Sequence, residues 1–185
     1  MSWSVLGSLS AVPALDRPDL LAEPVVLALE ALDPADAARV GVAEIDPALA
    51  DTAAFCEAYE SPLDASANCV VVAGKRGGDT RYAACLVLAT TRADVNGVVR
   101  RRIDARRASF APMDDAVALT GMEYGGITPV GLPEDWPVLV APEVAAAEAV
   151  VVGSGIRGSK LAVPGALVAA LPGAEVLADM ARGAT

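Results

Sequence analysis

Residues 68–89, NCVVVAGKRGGDTRYAACLVLA, constrain the fold more than any other stretch of this chain. Two apolar, β-branched runs flank a charged centre that holds Gly77 and Gly78, the pattern of a β-hairpin. Both runs are apolar at nearly every position, so neither face would rest in water. The strands therefore belong in the middle of a sheet covered by helices. A hairpin is an antiparallel pair, and strand-like and helical segments alternate along the rest of the chain. The expected fold class is α/β, a single domain with a mixed, mostly antiparallel β-sheet flanked by helices.

The segments around the hairpin fill out this plan. Residues 1–24 are interrupted by prolines and read as an N-terminal arm lying on a domain that spans 25–185. A short helix is expected over 25–32, a strand over 40–45, and a helix over 46–59 with Pro47 in its first turn. After the hairpin, RADVNGVVRRRIDARRA places Val95, Val98, Val99 and Ile103 on one helical face behind Asp94 as N-cap. A second short helix is expected over 111–121, with Asp114 and Asp115 in its first turn and Gly121 at its stop. Strands over 136–141, 148–152, 160–163 and 174–180 and a helix over 165–171 complete the order.

Composition removes several classes of function. The 185 residues contain no histidine, which excludes His-based catalytic triads and His-ligated metals. Cys56, Cys69 and Cys85 have neither an even count nor CxxC spacing, so reduced, buried thiols are expected. Every apolar run is shorter than the roughly 18–20 residues that a membrane helix needs, and the first residues lack the pattern of an export signal. A cytoplasmic protein with no membrane partner is the expectation. The net charge of −10 is concentrated: residues 1–68 hold Arg17 and Arg39 against twelve acidic side chains, while residues 69–185 balance. Nucleic-acid binding is then restricted to local, weak contact, because phosphate contacts supply most sequence-independent affinity. DNA is not an expected partner. The available basic cluster is Arg100, Arg101, Arg102, Arg106 and Arg107, read as one solvated helix face.

Two glycine-rich stretches remain. GSGIRG, 153–158, matches G-x-G-x-x-G after a strand, but the next residues, SKLAV, are strand-like and are stopped by Pro164. A dinucleotide site needs a helix there, so a tight turn between strands is the better reading. TGMEYGGITPVGLP, 120–133, combines glycines that permit φ > 0 with prolines that fix φ, and such a loop presents backbone amides unobstructed by side chains. The order of valine-rich hairpin, Asp-capped helix, Thr-Gly helix end, Gly-Gly-Ile-Thr-Pro-Val-Gly and later Gly-Ser-Gly-Ile-Arg-Gly resembles the YbaK/EbsC family. Its members are prolyl-tRNA synthetase-associated editing domains and free-standing aminoacyl-tRNA deacylases, and the likeness covers residues 66–180.

The resemblance implies hydrolysis of the ester between a wrong amino acid and the terminal adenosine of a tRNA, with no metal and no cofactor. It places Gly125, Gly126 and Pro129 in the wall of the aminoacyl pocket, with Asn68 across from them at the position of the family's characteristic lysine. Thr52, Thr120, Ile127, Thr128, Gly131, Gly153, Ser154, Gly155 and Arg157 would line or shape that pocket, and the Arg100–Arg107 face would take the tRNA. Lys160 is read as a surface charge. The chain departs from the family at Asn68 and at Ala141, where an acidic residue is common. A neutral amide gives a hydrogen bond of about 1 kcal/mol where a charged donor gives about 1.5–3. Two activities therefore stand at this stage: deacylation in trans, or a YbaK-fold module that holds an aminoacyl group, an amino acid or an adenylate without turnover.

Overall fold

The computed structural model describes residues 3–183. The elements run β1 (Val12–Pro13), α1 (Glu23–Glu30), α2 (Pro34–Ala37), β2 (Gly41–Glu44), α3 (Thr52–Tyr59), β3 (Ala67–Arg76), β4 (Asp79–Leu88), β5 (Thr91–Ala93), α4 (Arg100–Arg102), β6 (Arg107–Phe110) and α5 (Met113–Thr120). They continue as β7 (Val138–Val140), α6 (Pro142–Ala146), β8 (Val150–Gly153), β9 (Ser159–Val163), α7 (Gly165–Val168), β10 (Ala174–Val176) and β11 (Ala181–Gly183). The hairpin forms over its full length, with Ala67 opposite Leu88 and Arg76 opposite Asp79. Gly77 and Gly78 turn it with positive φ.

The strands divide into two main sheets and a ribbon: β10-β7-β4-β3-β6, β1-β2-β9-β8, and β11-β5. The pairs β10–β7 and β7–β4 are parallel and the others antiparallel, so the fold is the mixed, mostly antiparallel α/β arrangement expected. One parallel bridge, Ser66 to Val151, joins the foot of β3 to β8 and brings the sheets edge to edge. A large apolar cluster collects Leu29, Leu86, Leu139, Leu161, Val168 and Met180. Each such buried side chain contributes about 1.5–3 kcal/mol. A smaller cluster sets Phe55 of α3 on Ala43, Val151 and Ala162, so α3 covers the β2-β9-β8 face.

The N-terminal segment is more ordered than an extended arm. Three 3-10 turns and β1 lay it on the domain, and the Trp3 indole donates to Arg39 O at 3.0 Å above Gly41. The helix expected over 92–108 also differs. Asp94 does cap it, accepting from Gly97 N and Val98 N, but the helical segment amounts to one π-type turn and the three residues of α4. Asp104 then takes φ +52 and reverses the chain, so that Arg107–Phe110 can pair with β3. Local helical periodicity lost to four residues of sheet pairing.

Candidate functional site

At the junction of the two sheets lies a cleft of about 540 Å³. Its floor is the first half of β3, 67–71, and its walls are formed by Gly125 and Ile127, by Gly153 and Arg157 packed against them, and by Asp51 and Lys160. Phe110, Met113 and Tyr124 stand at its mouth, each more than half exposed.

The floor is held by α3. Asp51 caps that helix by accepting from Ala53 N, and Thr52 donates from its hydroxyl to Asn68 Oδ1 at 2.8 Å. One turn later Cys56 Sγ meets Ser66 Oγ at 3.3 Å. Four helical residues advance about 6 Å and two strand residues about 6.6 Å, so the spacings match and α3 lies along β3 without strain. Thr52 thus fixes the amide of Asn68. With its oxygen engaged, Asn68 keeps its NH2 group as a donor, and among the described residues that group has no protein acceptor.

The glycine-rich loop is built largely by backbone contact. Gly126 N donates to Glu123 O at 2.9 Å, which closes a turn with Gly125 at φ +86, and Gly126 O accepts from Gly155 N at 2.8 Å. A side chain on Gly126 would strike the Ile156 backbone at 2.6 Å, and one on Gly153 would strike Gly126 O at 2.2 Å. GSGIRG therefore serves as the seat of this loop, with Gly153 spent on close backbone approach and Gly155, at φ +87, packed against Ala22. The amide of Gly126 is consumed in the turn. Those of Gly125 and Ile127 donate to no acceptor among the described residues, and both residues line the cleft. Arg157 clasps the arrangement, donating from its guanidinium to Tyr124 O at 3.3 Å and to Pro47 O at 3.0 Å.

Lys160 is a correction. Expected at the surface, it is 7% exposed and lines the cleft, with Nζ donating to Ala50 O at 2.8 Å and lying 5.5 Å from the centre of the Phe55 ring. Burial lowers its pKa, partly countered by the Asp51 carboxylate. Cys69 also lines the cleft, but burial pushes its thiol well above the ordinary range, and the nearby Cys85 adds to this. Burial likewise pushes Cys85 up to about 12. Neither supplies a thiolate nucleophile.

Of the other residues expected at the pocket, several stand outside its lining. Thr120 is buried and donates to Ala116 O at 2.7 Å while accepting from Met122 N, a helix-end role. Thr128 is fully buried, and Pro129 behind it is buried too. Gly131, at φ +83, packs against the Pro24 backbone. Ser154 is buried against Ser159, whose hydroxyl donates to Leu20 O, and Gly155 carries the backbone bonds to the loop. Ala141 is fully buried at the N-cap of α6. Among the described residues no three His, Cys, Asp or Glu side chains converge.

The arginine run does not form one face. Arg100, Arg106 and Arg107 share a groove of about 590 Å³ with Lys75, while Arg102 turns to Glu175, its Nε donating to both carboxylate oxygens at 2.7 and 3.0 Å, and Arg101 lies outside the groove. The reversal at Asp104 separates them. The sequence reading missed Lys75 as a member of this groove and Phe110, Met113 and Tyr124 as the mouth of the cleft. Lys160 carried a signal, a lone cation inside the apolar strand SKLAV.

Among known proteins, a family model described as an aminoacyl-tRNA editing domain matches residues 46–170. No curated protein matches the chain. A crystal structure of a candidate trans-editing enzyme for prolyl-tRNA synthetase superposes with a TM-score of 0.71 at 23% identity, covering 88% of this chain and 97% of that one. A structure from work on epitope grafting onto scaffold proteins gives 0.71 at 24% identity with the same coverage. A hypothetical protein gives 0.62 at 20% identity over 72% of this chain and 85% of its own. No helix among the described residues is long and apolar enough to cross a membrane.

Proposed function

Because the chain belongs to the aminoacyl-tRNA editing domain family, we propose that it is a deacylase acting in trans, in the cytoplasm, on mischarged tRNA. The observation that supports this most is the cleft itself: Gly125 and Ile127, whose amides donate to no acceptor among the described residues, and Asn68, whose NH2 is unpaired, line one space of about 540 Å³, within the usual range for a small-molecule site. Water attacks the ester carbonyl, the carbonyl oxygen becomes an oxyanion, and the bond to the ribose oxygen breaks with a proton passing to that oxygen. The neighbouring ribose hydroxyl of the substrate assists the attack. The protein supplies position and fixed dipoles, and a preorganised oxyanion donor is worth roughly 100- to 1000-fold.

The mouth suits the nucleoside that carries the ester. Tyr124 and Phe110 offer exposed rings beside the acyl cleft, and stacking a base on such a ring is worth about 1–3 kcal/mol. Tyr124→Ala is expected to raise KM for a mischarged tRNA about tenfold with kcat within threefold, measured by initial rates; an unchanged KM would remove Tyr124 from the adenosine site.

The reading as a whole is tested by a deacylation panel of tRNAs mischarged with small amino acids. At least one should lose its amino acid faster than in buffer, and a panel without acceleration would overturn the proposal. A second reading, binding without turnover, draws on the neutral Asn68 at the position of the family lysine. Retained binding of a non-hydrolysable aminoacyl-adenosine by a protein inactive on the whole panel is the result that would favour it.

A further inference from the structure

The strand register places three residues in a row. The parallel bridge Ser66–Val151 lays β3 beside β8, with Asn68 and Gly153 each two positions on from it, and Gly153 pairs with Lys160 across β8 and β9. Steps of two keep each residue on the same face, so Asn68 and Lys160 point to the same side of adjoining strands, roughly 10 Å apart at two strand spacings. Gly153 puts no side chain between them. In its place the Gly126–Ile127 backbone rides over it, 2.2 Å from where a Cβ would be. The loop that lines the acyl cleft is thus flanked by Asn68 on one side and Lys160 on the other, and all of Asn68, Gly125, Ile127 and Lys160 border the same space.

Burial of a lysine needs a reason, since the ammonium has three donors and loses its hydration. One donor goes to Ala50 O, and the Phe55 ring faces the charge. The other two have no acceptor among the described residues. The charged and titratable groups around it are Asp51 and Cys56 from α3 and Arg157 from the β8–β9 connection. Asp51 is committed to its helix cap and Arg157 to Tyr124 O and Pro47 O. Arg157 spends two of its five N–H donors in this way and is only half-buried; Lys160 is the buried cation of the cleft, and two of its three donors remain.

Resting on the deacylase reading, we infer that Lys160 is a catalytic residue: its ammonium donates to the carbonyl oxygen of the aminoacyl ester and stabilises the negative charge that forms there on water attack. The cation that β3 does not carry at position 68 is supplied from β9, on the opposite flank of the same loop.

The test uses the full chain and a mischarged tRNA that the wild type hydrolyses. Lys160→Gln keeps a donor for Ala50 O and removes the charge; kcat should fall about 100-fold with KM within threefold. Lys160→Arg and the double variant Asn68→Lys/Lys160→Gln, each of which returns a cation to the flank of the loop, should recover at least tenfold of that loss. A loss below tenfold overturns the inference, and so does a loss that neither cation-bearing variant recovers, which would make Lys160 a strut between β9 and Ala50. Should Lys160→Gln fail to fold, the wild-type pH profile decides. After subtraction of spontaneous hydrolysis, kcat should decline on the alkaline side at a pH below lysine's ordinary value, and the Lys160→Arg profile should stay flat there; coincident profiles overturn it. A wild type silent on every mischarged tRNA overturns the deacylase reading itself, and this inference with it, whereas an active wild type with an indifferent Lys160→Gln overturns this inference alone.

Discussion

Gly153→Ala should cost the protein its activity and much of its stability, although it adds a single methyl group. The methyl carbon would sit 2.2 Å from Gly126 O, 2.7 Å from Gly126 C and 2.8 Å from Ile127 O, all backbone atoms with no rotamer to change. Either the loop lifts or β8 shifts. Lifting the loop stretches the Gly155 N to Gly126 O bond, now 2.8 Å, and displaces the amides of Gly125 and Ile127 from the cleft. Overpacking of this kind costs about 1–3 kcal/mol. A misplacement of about 1 Å in a site that works by position costs on the order of 100-fold in rate. The expected outcome is a kcat at least 100-fold below wild type and a lowered denaturation midpoint, read by deacylation rates and urea unfolding. Gly183→Ala, where an added Cβ meets nothing within 4 Å, serves as the control. Wild-type rates in Gly153→Ala would show that the loop does not need its seat.

How far the site could be read from the sequence depended on which contacts decide each position. The hairpin was legible because its two runs state their period and burial locally, and it formed over the residues expected. Asp94 was legible as a cap for the same reason. The arginine run was misread as one helix because its local pattern is helical, while the deciding term, pairing of Arg107–Phe110 with β3, is a contact more than thirty residues away in sequence. Lys160 shows the same limit in another form. A lone lysine in a short strand is ordinarily solvated, and the packing of α3 across β8 and β9 encloses this one in a strand buried at every position. Both glycine motifs are placed at the pocket by the resemblance, but their sequences do not show that each packs on the other. Their complementarity, Gly126 against Ile156 and Gly153 against Gly126, is a property of the assembled sheets. The pairing of Asn68 with Thr52 likewise needed two separate elements to meet.

Replacing Lys75, Arg106 and Arg107 together with glutamine should weaken tRNA binding far more than any change at Arg101 or Arg102. The three line one groove, and among the described residues none of their side chains is engaged by a carboxylate. Arg102 is held by Glu175, and the hydrogen bond to that carboxylate raises its own pKa, so its charge is already answered. Strand β6 carries the connection: it begins at Arg107 in the groove and ends at Phe110 at the cleft mouth, about 10 Å along the strand. A tRNA end whose terminal adenosine sits at Phe110 and Tyr124 would bring its preceding phosphates along this strand towards the three cations. Each phosphate contact contributes roughly 0.7–0.9 to the slope of log K against log salt, so losing three should flatten it by about 2–3 and raise Kd at low salt at least tenfold. Because these contacts position the tRNA and touch no reacting atom, kcat at saturation should stay within threefold, and hydrolysis of a minimal aminoacyl-adenosine should not change. Salt-dependent binding and the two substrates side by side read this out. An unchanged slope in the triple variant, or an equal loss on the minimal substrate, would place the tRNA path on another face.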